Sequence, residues 1–578
     1  MTKFNQLQNN FSSGELAPKL KSRTDVKEYF SGCETLENMV VLPAGGAARR
    51  PGTRFIFDQG GSSPQRIIPF KFSKTESYIV IIFLSAGLPT LSVVSLDGTG
   101  LSGSLAFTTT YMTDDDKEDI YGFNYAQSGD ALFIVHRSGN MEPHVLKRTS
   151  ANNFSLATYT NTFYTTDLKK ILAQPFDNIN ETDITLAPNS GPHTGIIASD
   201  DYFTEEHVGS YIRYQQSNGT GAEGVYIITG YVSATEVAST ELIAPAAVGF
   251  SVYWSISAFS QLKGFPRTVF IFEQRIVFGG TREKPDSLFF SKTGNVWQMM
   301  QDRLAQDDTT NVSGLGFFGS ELTTDPFFVT ISSEEVDEIT WIGGFRDLLV
   351  GTLGGERSVT SETFLSATDI KIRRQTAHGG KNIQTVQIDN TAYFVSADGK
   401  KIRSFKYNDT NGSFTASDIS LLNDTFLHHN VTSDFFDVEV SEMVYQRSTG
   451  IMWIRSTAGE LIGLTVDSAG EVTGWHRHTL GGTDVSVLGL APISRDNTGY
   501  EDLYLLVSRT INDSTEIYVE KIGPHFEETA LFNTSTSDDA KPIYSDCAVV
   551  ISGATEILGT EVDEEGLETE DGDILILE

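Results

Sequence analysis

Between Phe265 and Ser291 the hydrophobic and polar positions form a pattern that the rest of the chain repeats. Thr268 to Phe272 is β-branched and aromatic, Glu273-Gln274 is polar, Arg275 to Phe278 is largely apolar again, and Gly279-Gly280 ends the run. Two short apolar runs across a two-residue polar break predict a tight β-hairpin. Ser287 to Phe290, beyond Pro285, predicts a third strand. A unit of about four strands is the size of a propeller blade.

Second-strand runs of the same kind recur as SYIVIIF from Ser77, ALFIVHR from Ala131, RIVFGGT from Arg275, DLLVGTL from Asp347, TAYFVSA from Thr391, IMWIRST from Ile451 and LYLLVSR from Leu503. Their spacing, mostly roughly 45 to 75 residues, is that of blades with long loops. The chain is therefore expected to be all-β, a β-propeller of about seven blades, with unrelated sandwich hairpins as the alternative. Only the interval from Ala131 to Arg275 is too long. There, short strands joined by Gly, Ser and Thr turns predict a small inserted β domain, on a loop that tolerates insertion.

The expected organisation is a docking segment over 1–60, the first blades over 61–174, the inserted domain over 175–262, the remaining blades over 263–525 and an acidic tail region over 526–578. In the first segment Asp25 and Glu28 have capping-box spacing, and Val26, Tyr29, Cys33 and Leu36 share one helical face. A short N-terminal helical and extended segment on the β body is expected. Asn38 to Phe55, with Pro43, Gly45-Gly46 and Pro51-Gly52, reads as a turn-rich crossing into a strand.

Composition narrows the class. Hydrophobic residues at 39%, 52 glycines and 20% charged residues describe a β-rich globular chain rather than a coiled coil or a disordered one. Cys33 and Cys547, the only cysteines, lie far apart in sequence, so neither a disulfide framework nor a cysteine zinc site is expected, and synthesis in a reducing compartment fits. The opening MTKFNQLQNNFSSGE has no charged-then-apolar leader, and no apolar run approaches about 18 residues, so export by a leader and membrane spanning are not expected.

The net charge of −34 argues against a surface that grips nucleic acid through its phosphates. Residues 1–74 reverse that sign, with eleven Lys or Arg against six acids, or +5, which leaves the remainder near −39. Such asymmetry predicts an electrostatic docking end, with Arg49, Arg50 and Arg54 as candidate docking residues.

Few motifs point to chemistry. His428-His429 and His476-x-His478 are the dense histidine groups, and the second pair would share one face of a strand, yet zinc needs three or four converging ligands. Glu561 to Asp573 carries eight acids and no base but lacks the order of an EF-hand loop, so a solvated tail is expected. Ser291 to Trp297 resembles a sialidase turn, with Thr293 where that turn has Asp and one residue too few. G-x-S-x-G, Walker and H-E-x-x-H motifs are absent, as is the Trp-Asp dipeptide of WD repeats. No catalytic residue, cofactor or metal is expected.

The stretch FSSGELAPKLKSRTDVKEYFSGCETLENMVVLPAGGAARRPGTRF, above all Gly45-Gly46-Ala47 and Arg49-Arg50-Pro51-Gly52-Thr53, resembles the opening of the tail nozzle proteins of short-tailed bacteriophages, also called tail tubular protein B or DNA-stabilisation proteins. The segments from Tyr125, Phe265, Glu338 and Gly474 resemble that family in the same order. The resemblance implies a structural subunit, not an enzyme, that forms a homohexameric ring below an adaptor ring in a virion tail assembled in the host cytoplasm. Tail fibres and the host outer surface would be further contacts, and double-stranded DNA would pass through a gated channel without tight binding. Combined with the acidic charge, it makes Asp114, Asp115, Asp116, Glu334, Glu335, Asp337 and Glu338 candidate lumen residues. The alternatives are a glycan-cleaving propeller enzyme and a glycan-binding surface module.

Overall fold

In the computed structural model, Thr268–Phe272 pairs with Arg275–Gly279 across Glu273-Gln274, the tight hairpin expected there. Both turn residues take positive φ, 45° and 61°. That is the primed geometry whose twist matches right-handed strands. The structure describes residues 8, 10–61, 64–160, 174–178, 184–189, 194–215, 224–245, 247–300, 323–333, 336–429, 438–467, 472–494, 500–511, 514–523, 546, 567–568 and 574–575.

The chain is an all-β propeller, and its contacts fall into two units, Met1–Leu105 with Ile383–Glu578, and Ala106–Asn382. Blades are numbered here in chain order. The first unit holds blade 1 (Gln65–Lys71, Ser77–Ser85 and Leu88–Val94), blade 5 (from Val386–Ile388 to Ser413–Asp418), blade 6 (from Val440–Gln446 to Val472–His478) and blade 7. Blade 7 has Thr483–Ser494, Glu501–Ile511 and Ser514–Ile522 and takes its fourth strand, Thr53–Asp58, from near the start of the chain. The first strands of blades 5, 6, 7 and 1 pack in that order.

The second unit holds blade 2 (from Phe123–Ser128 to Asn153–Thr158), blade 3 (from Thr268–Phe272 to Phe327–Thr330) and blade 4 (from Ile339–Gly344 to Lys371–Thr376), again with adjacent first strands. Between blades 2 and 3 the inserted domain forms a seven-stranded sheet, reaching in the chain from Phe176–Asn178 to Tyr253–Ser257. It has its own core, with Ile196, Ile212, Tyr214, Tyr226, Val237 and Trp254.

All seven apolar runs of the sequence fall on second strands of blades. Five of those strands, among them Ala131–His136 and Ile451–Ser456, are buried at every position. A strand covered on both faces reads as a continuous apolar run rather than an alternating one.

The N-terminal segment is helical and extended, as expected, but its helical part is not the amphipathic helix that the spacing predicts. Lys27–Ser31 is a single 3₁₀ turn, not an amphipathic helix, and Asp25 is taken up by Arg23 at 2.7 Å instead of capping it. Gly32–Cys33 is extended and pairs in parallel with Gly14–Glu15, which in turn pairs with blade 6 at Trp475. Strand pairing thus claims Cys33, one of the residues that the helical face would have used. Gly14, at φ 64°, lies so close to the Trp475 backbone that a Cβ would sit 2.3 Å from its N and O, so only glycine lets the segment approach.

Candidate functional site

Ionised side chains inside the first unit are bound to one another. Glu442, on the first strand of blade 6, accepts from Arg66 Nε of blade 1 at 2.8 Å and from the Leu490 N–H of blade 7 at 3.1 Å, so one carboxylate ties three blades. Glu520, fully buried, accepts from Arg509 Nε at 2.6 Å and Nη2 at 2.9 Å, and from the Thr53 hydroxyl. That carboxylate fastens the N-terminal strand to blade 7. Two-point pairing of this kind is what lets a buried charge persist.

The first unit also contains a cleft of about 630 Å³ between the N-terminal segment, the turn at Asp424–Phe426, blade 6 and the start of blade 7. Its base is apolar: Phe426, Leu461, Ile462 and Val487 are buried, with Leu480 and Val485 half-buried beside them. Its rim is charged. Glu15 accepts from the Leu36 N–H at 2.6 Å and faces Arg477 Nε at 3.5 Å; burial pushes its carboxyl above the usual range despite those contacts. Glu34 pairs with Lys21, and Glu37 accepts from the Thr479 hydroxyl at 2.8 Å. Glu460 accepts from the Ser456 hydroxyl at 3.0 Å and lies 3.0 Å from His429 Nε2, whose other ring nitrogen faces the Thr425 carbonyl at 3.1 Å.

His476 and His478 share a strand face, as their spacing predicts, and meet at 2.6 Å between Nδ1 and Nε2. The Thr465 hydroxyl donates to the Val41 carbonyl at 2.8 Å, so at Thr465 Oγ1 the His476 Nε2 is the donor, at 3.2 Å. His476 Nδ1 is then an acceptor, which makes His478 Nε2–H the donor between the rings. The two hydrogen bonds occupy both ring nitrogens of His476 and Nε2 of His478. Among the described residues, no group of three or more His, Cys, Asp or Glu side chains is placed to hold a metal ion.

The candidate docking arginines separate. Arg49 is exposed on the strand Ala47–Arg49, whereas Arg50 and Arg54 are buried. Arg50 donates to both oxygens of Asp546, at 3.0 Å each, within its own unit.

The candidate lumen acids have local roles of their own. Asp114, Asp115 and Asp116 occupy the first turn of Asp114–Glu118, where the free N–H groups of a helix start favour negative charge. Asp116 forms a capping box with Thr113; burial pulls its carboxyl upward, but bonds from Asn140 and Thr113 outweigh that and hold it below the ordinary range. Asp337 is buried and accepts from Arg357 at 3.0 Å, from the Thr352 hydroxyl at 2.6 Å and from the Gly354 N–H at 2.6 Å. Glu338 pairs with Arg267. Glu334 and Glu335 lie outside the described residues, as do Cys547 and most of the acidic tail. Of that tail, Leu567–Glu568 and Ile574–Leu575 form a two-stranded antiparallel pair.

Sequence reasoning missed Glu442, Glu520 and Asp546. The first had a signal: Glu442 shares the strand parity of the buried Val444, and an acid at an apolar position of a strand requires a cation inside.

The fold defines the class: this is a β-propeller. No family model matches the chain, and no curated protein matches it. Among solved structures it is similar to the C-terminal WD40 domain of Sif2, at 10% identity over 82% of this chain and 100% of that one, with a TM-score of 0.33. It is similar to Sqt1 of Chaetomium thermophilum bound to the N-terminus of the ribosomal protein L10, at 12% identity over 82% and 99%, TM-score 0.36. It is also similar to the WD40 domain of Toxoplasma gondii coronin, at 9% identity over 85% and 92%, TM-score 0.33.

The Sif2 and coronin neighbours are WD40 domains and none of the three is a phage tail nozzle protein, and the tail-nozzle expectation is corrected on that finding. With it go the hexameric ring, the adaptor, tail-fibre and host-surface contacts and the DNA channel, and the glycan-cleaving and glycan-binding alternatives are not carried forward either. The physical reason lies in the motifs. Gly45 takes a turn at φ 87° and Arg50 fills an internal ion pair, so residues that suggested a shared function have local structural roles. A fold and its turn residues do not determine a partner.

Proposed function

We propose that this propeller is a non-catalytic interaction module that receives a segment of a partner protein in the cleft of the first unit. The observation that carries the reading is the lining of that cleft, buried apolar side chains such as Phe426, Leu461 and Val487 beneath a rim of hydrogen-bonded charged groups. An apolar base removes surface from water, and a polar rim fixes orientation, the combination that recognition requires. Its volume, about 630 Å³, lies in the usual range for ligand pockets, about 300 to 1,000 Å³. The rim carboxylates accept from a backbone N–H, an ammonium or a hydroxyl, which fixes where each one points.

The test is selection from a random-sequence peptide library on the immobilised full chain, with a photo-crosslinking residue at position 480. Peptides that enrich, crosslink at that position and compete with one another support the module. Failure to enrich, or crosslinks only at positions outside the cleft, overturns it.

A further inference from the structure

We infer that the segment taken by the cleft is basic, with a Lys or Arg next to an apolar side chain. The inference rests on the interaction-module reading and adds the chemistry of the partner. Two of the rim carboxylates face cations of the chain itself, Glu15 with Arg477 and Glu34 with Lys21. Glu37 and Glu460 are held differently. The hydroxyl of Thr479 donates to Glu37, and the hydroxyl of Ser456 donates to Glu460, which also faces the His429 ring.

A carboxylate has about four acceptor sites, so one hydroxyl leaves Glu37, which is exposed, with acceptor capacity toward solvent. An ammonium or guanidinium arriving there would form a charge-assisted hydrogen bond. Leu480 and Val485, half-buried in the same cleft, offer apolar surface for the stem of that side chain or for its neighbour. An acidic segment would instead meet Glu34, Glu37 and Glu460 together. The net charge of −34 acts in the same direction at longer range, attracting a basic partner and repelling an acidic one.

The test is fluorescence anisotropy on the full chain with labelled peptides of one apolar frame, carrying Lys and Arg, Gln, or Glu at the remaining positions. The basic peptide should bind best and the acidic one worst, with the preference shrinking as salt rises. Glu37→Gln and Glu460→Gln should each weaken the basic peptide by about three- to fivefold, as exposed ion pairs do, and leave the Gln peptide unchanged. Leu480→Glu, with Val485→Glu as a second variant should the first misfold, reports whether binding is in the cleft at all. Equal binding of the basic and Gln peptides, lost in Leu480→Glu, would overturn the basic preference and leave the module standing. Binding indifferent to the cleft variants, or no binding by any peptide, would overturn both.

Discussion

Arg50 and Asp546 stand 496 positions apart in the chain and meet through both guanidinium Nη atoms and both carboxylate oxygens, each at 3.0 Å. Their side chains are only 4% and 9% exposed. Asp546 also accepts from the Gly481 N–H at 2.9 Å, and Arg50 Nη1 donates to the Pro51 carbonyl at 2.8 Å. One carboxylate thus holds the N-terminal crossing and the chain beside the cleft wall at Thr479 and Leu480 in a single arrangement.

Removing either partner leaves the other charge buried. Asp546→Ala and Arg50→Ala should each lower unfolding free energy by about 3 to 5 kcal/mol, while Arg50→Met with Asp546→Leu should recover much of the loss. Urea unfolding of the wild type, the two alanine variants and the double alanine variant closes the cycle that gives the coupling. Additive effects of the two alanine variants would mean that the pair does not act as a unit.

The Thr53–Asp58 strand is held to blade 7 by the buried Glu520, Arg509 and Thr53 group as well as by its backbone ladder. Glu520→Gln keeps the shape and removes the charge that Arg509 requires, a loss of about 2 to 4 kcal/mol. Amide exchange should accelerate first over residues 53–58. The exposed pair of Arg23 with Asp25 is the control, and Arg23→Ala should leave the thermal midpoint unchanged.

His144 sets a pH dependence. Its Nε2 accepts from the Thr108 N–H at 3.0 Å and its Nδ1–H donates to the Glu142 carbonyl at 2.6 Å, so the neutral ring fills both roles. Burial pulls its pKa from 6.5 down to about 4. The unfolded chain therefore binds a proton that the folded chain refuses between those values. Stability is fully present above about pH 6.5 and falls toward pH 4, by about 2 to 4 kcal/mol from this group. Burial pushes the Glu142 carboxyl the other way, a contribution that declines as pH rises, so the histidine is isolated by comparison with His144→Gln. That variant should be less stable at pH 7 and lose less stability between pH 6.5 and pH 4. An identical slope in both proteins would count against the assignment.

What the sequence disclosed and what it withheld follow from the range of the interactions. The second strands were legible because a strand covered on both faces must be apolar throughout, as in Ala131–His136. The Glu273-Gln274 turn was legible because a two-residue polar break leaves little choice of hairpin. The N-terminal helix was misread because Asp25 and Glu28 have the local spacing of a capping box, while the parallel pairing of Gly14–Glu15 with Gly32–Cys33, a non-local contact, decides the outcome. The site was least legible of all. Glu37 and Glu460 come to one cleft only after blade 6 and the N-terminal segment have packed, and no spacing in the sequence encodes that.

Hydrogen–deuterium exchange of the full chain with and without the basic peptide tests whether the cleft of the first unit receives a partner's basic segment. Slower exchange is expected over residues 424–429 and 475–487, with blades 2, 3 and 4 unchanged. Protection confined to other surfaces, with those two stretches exchanging as in the free protein, would contradict it.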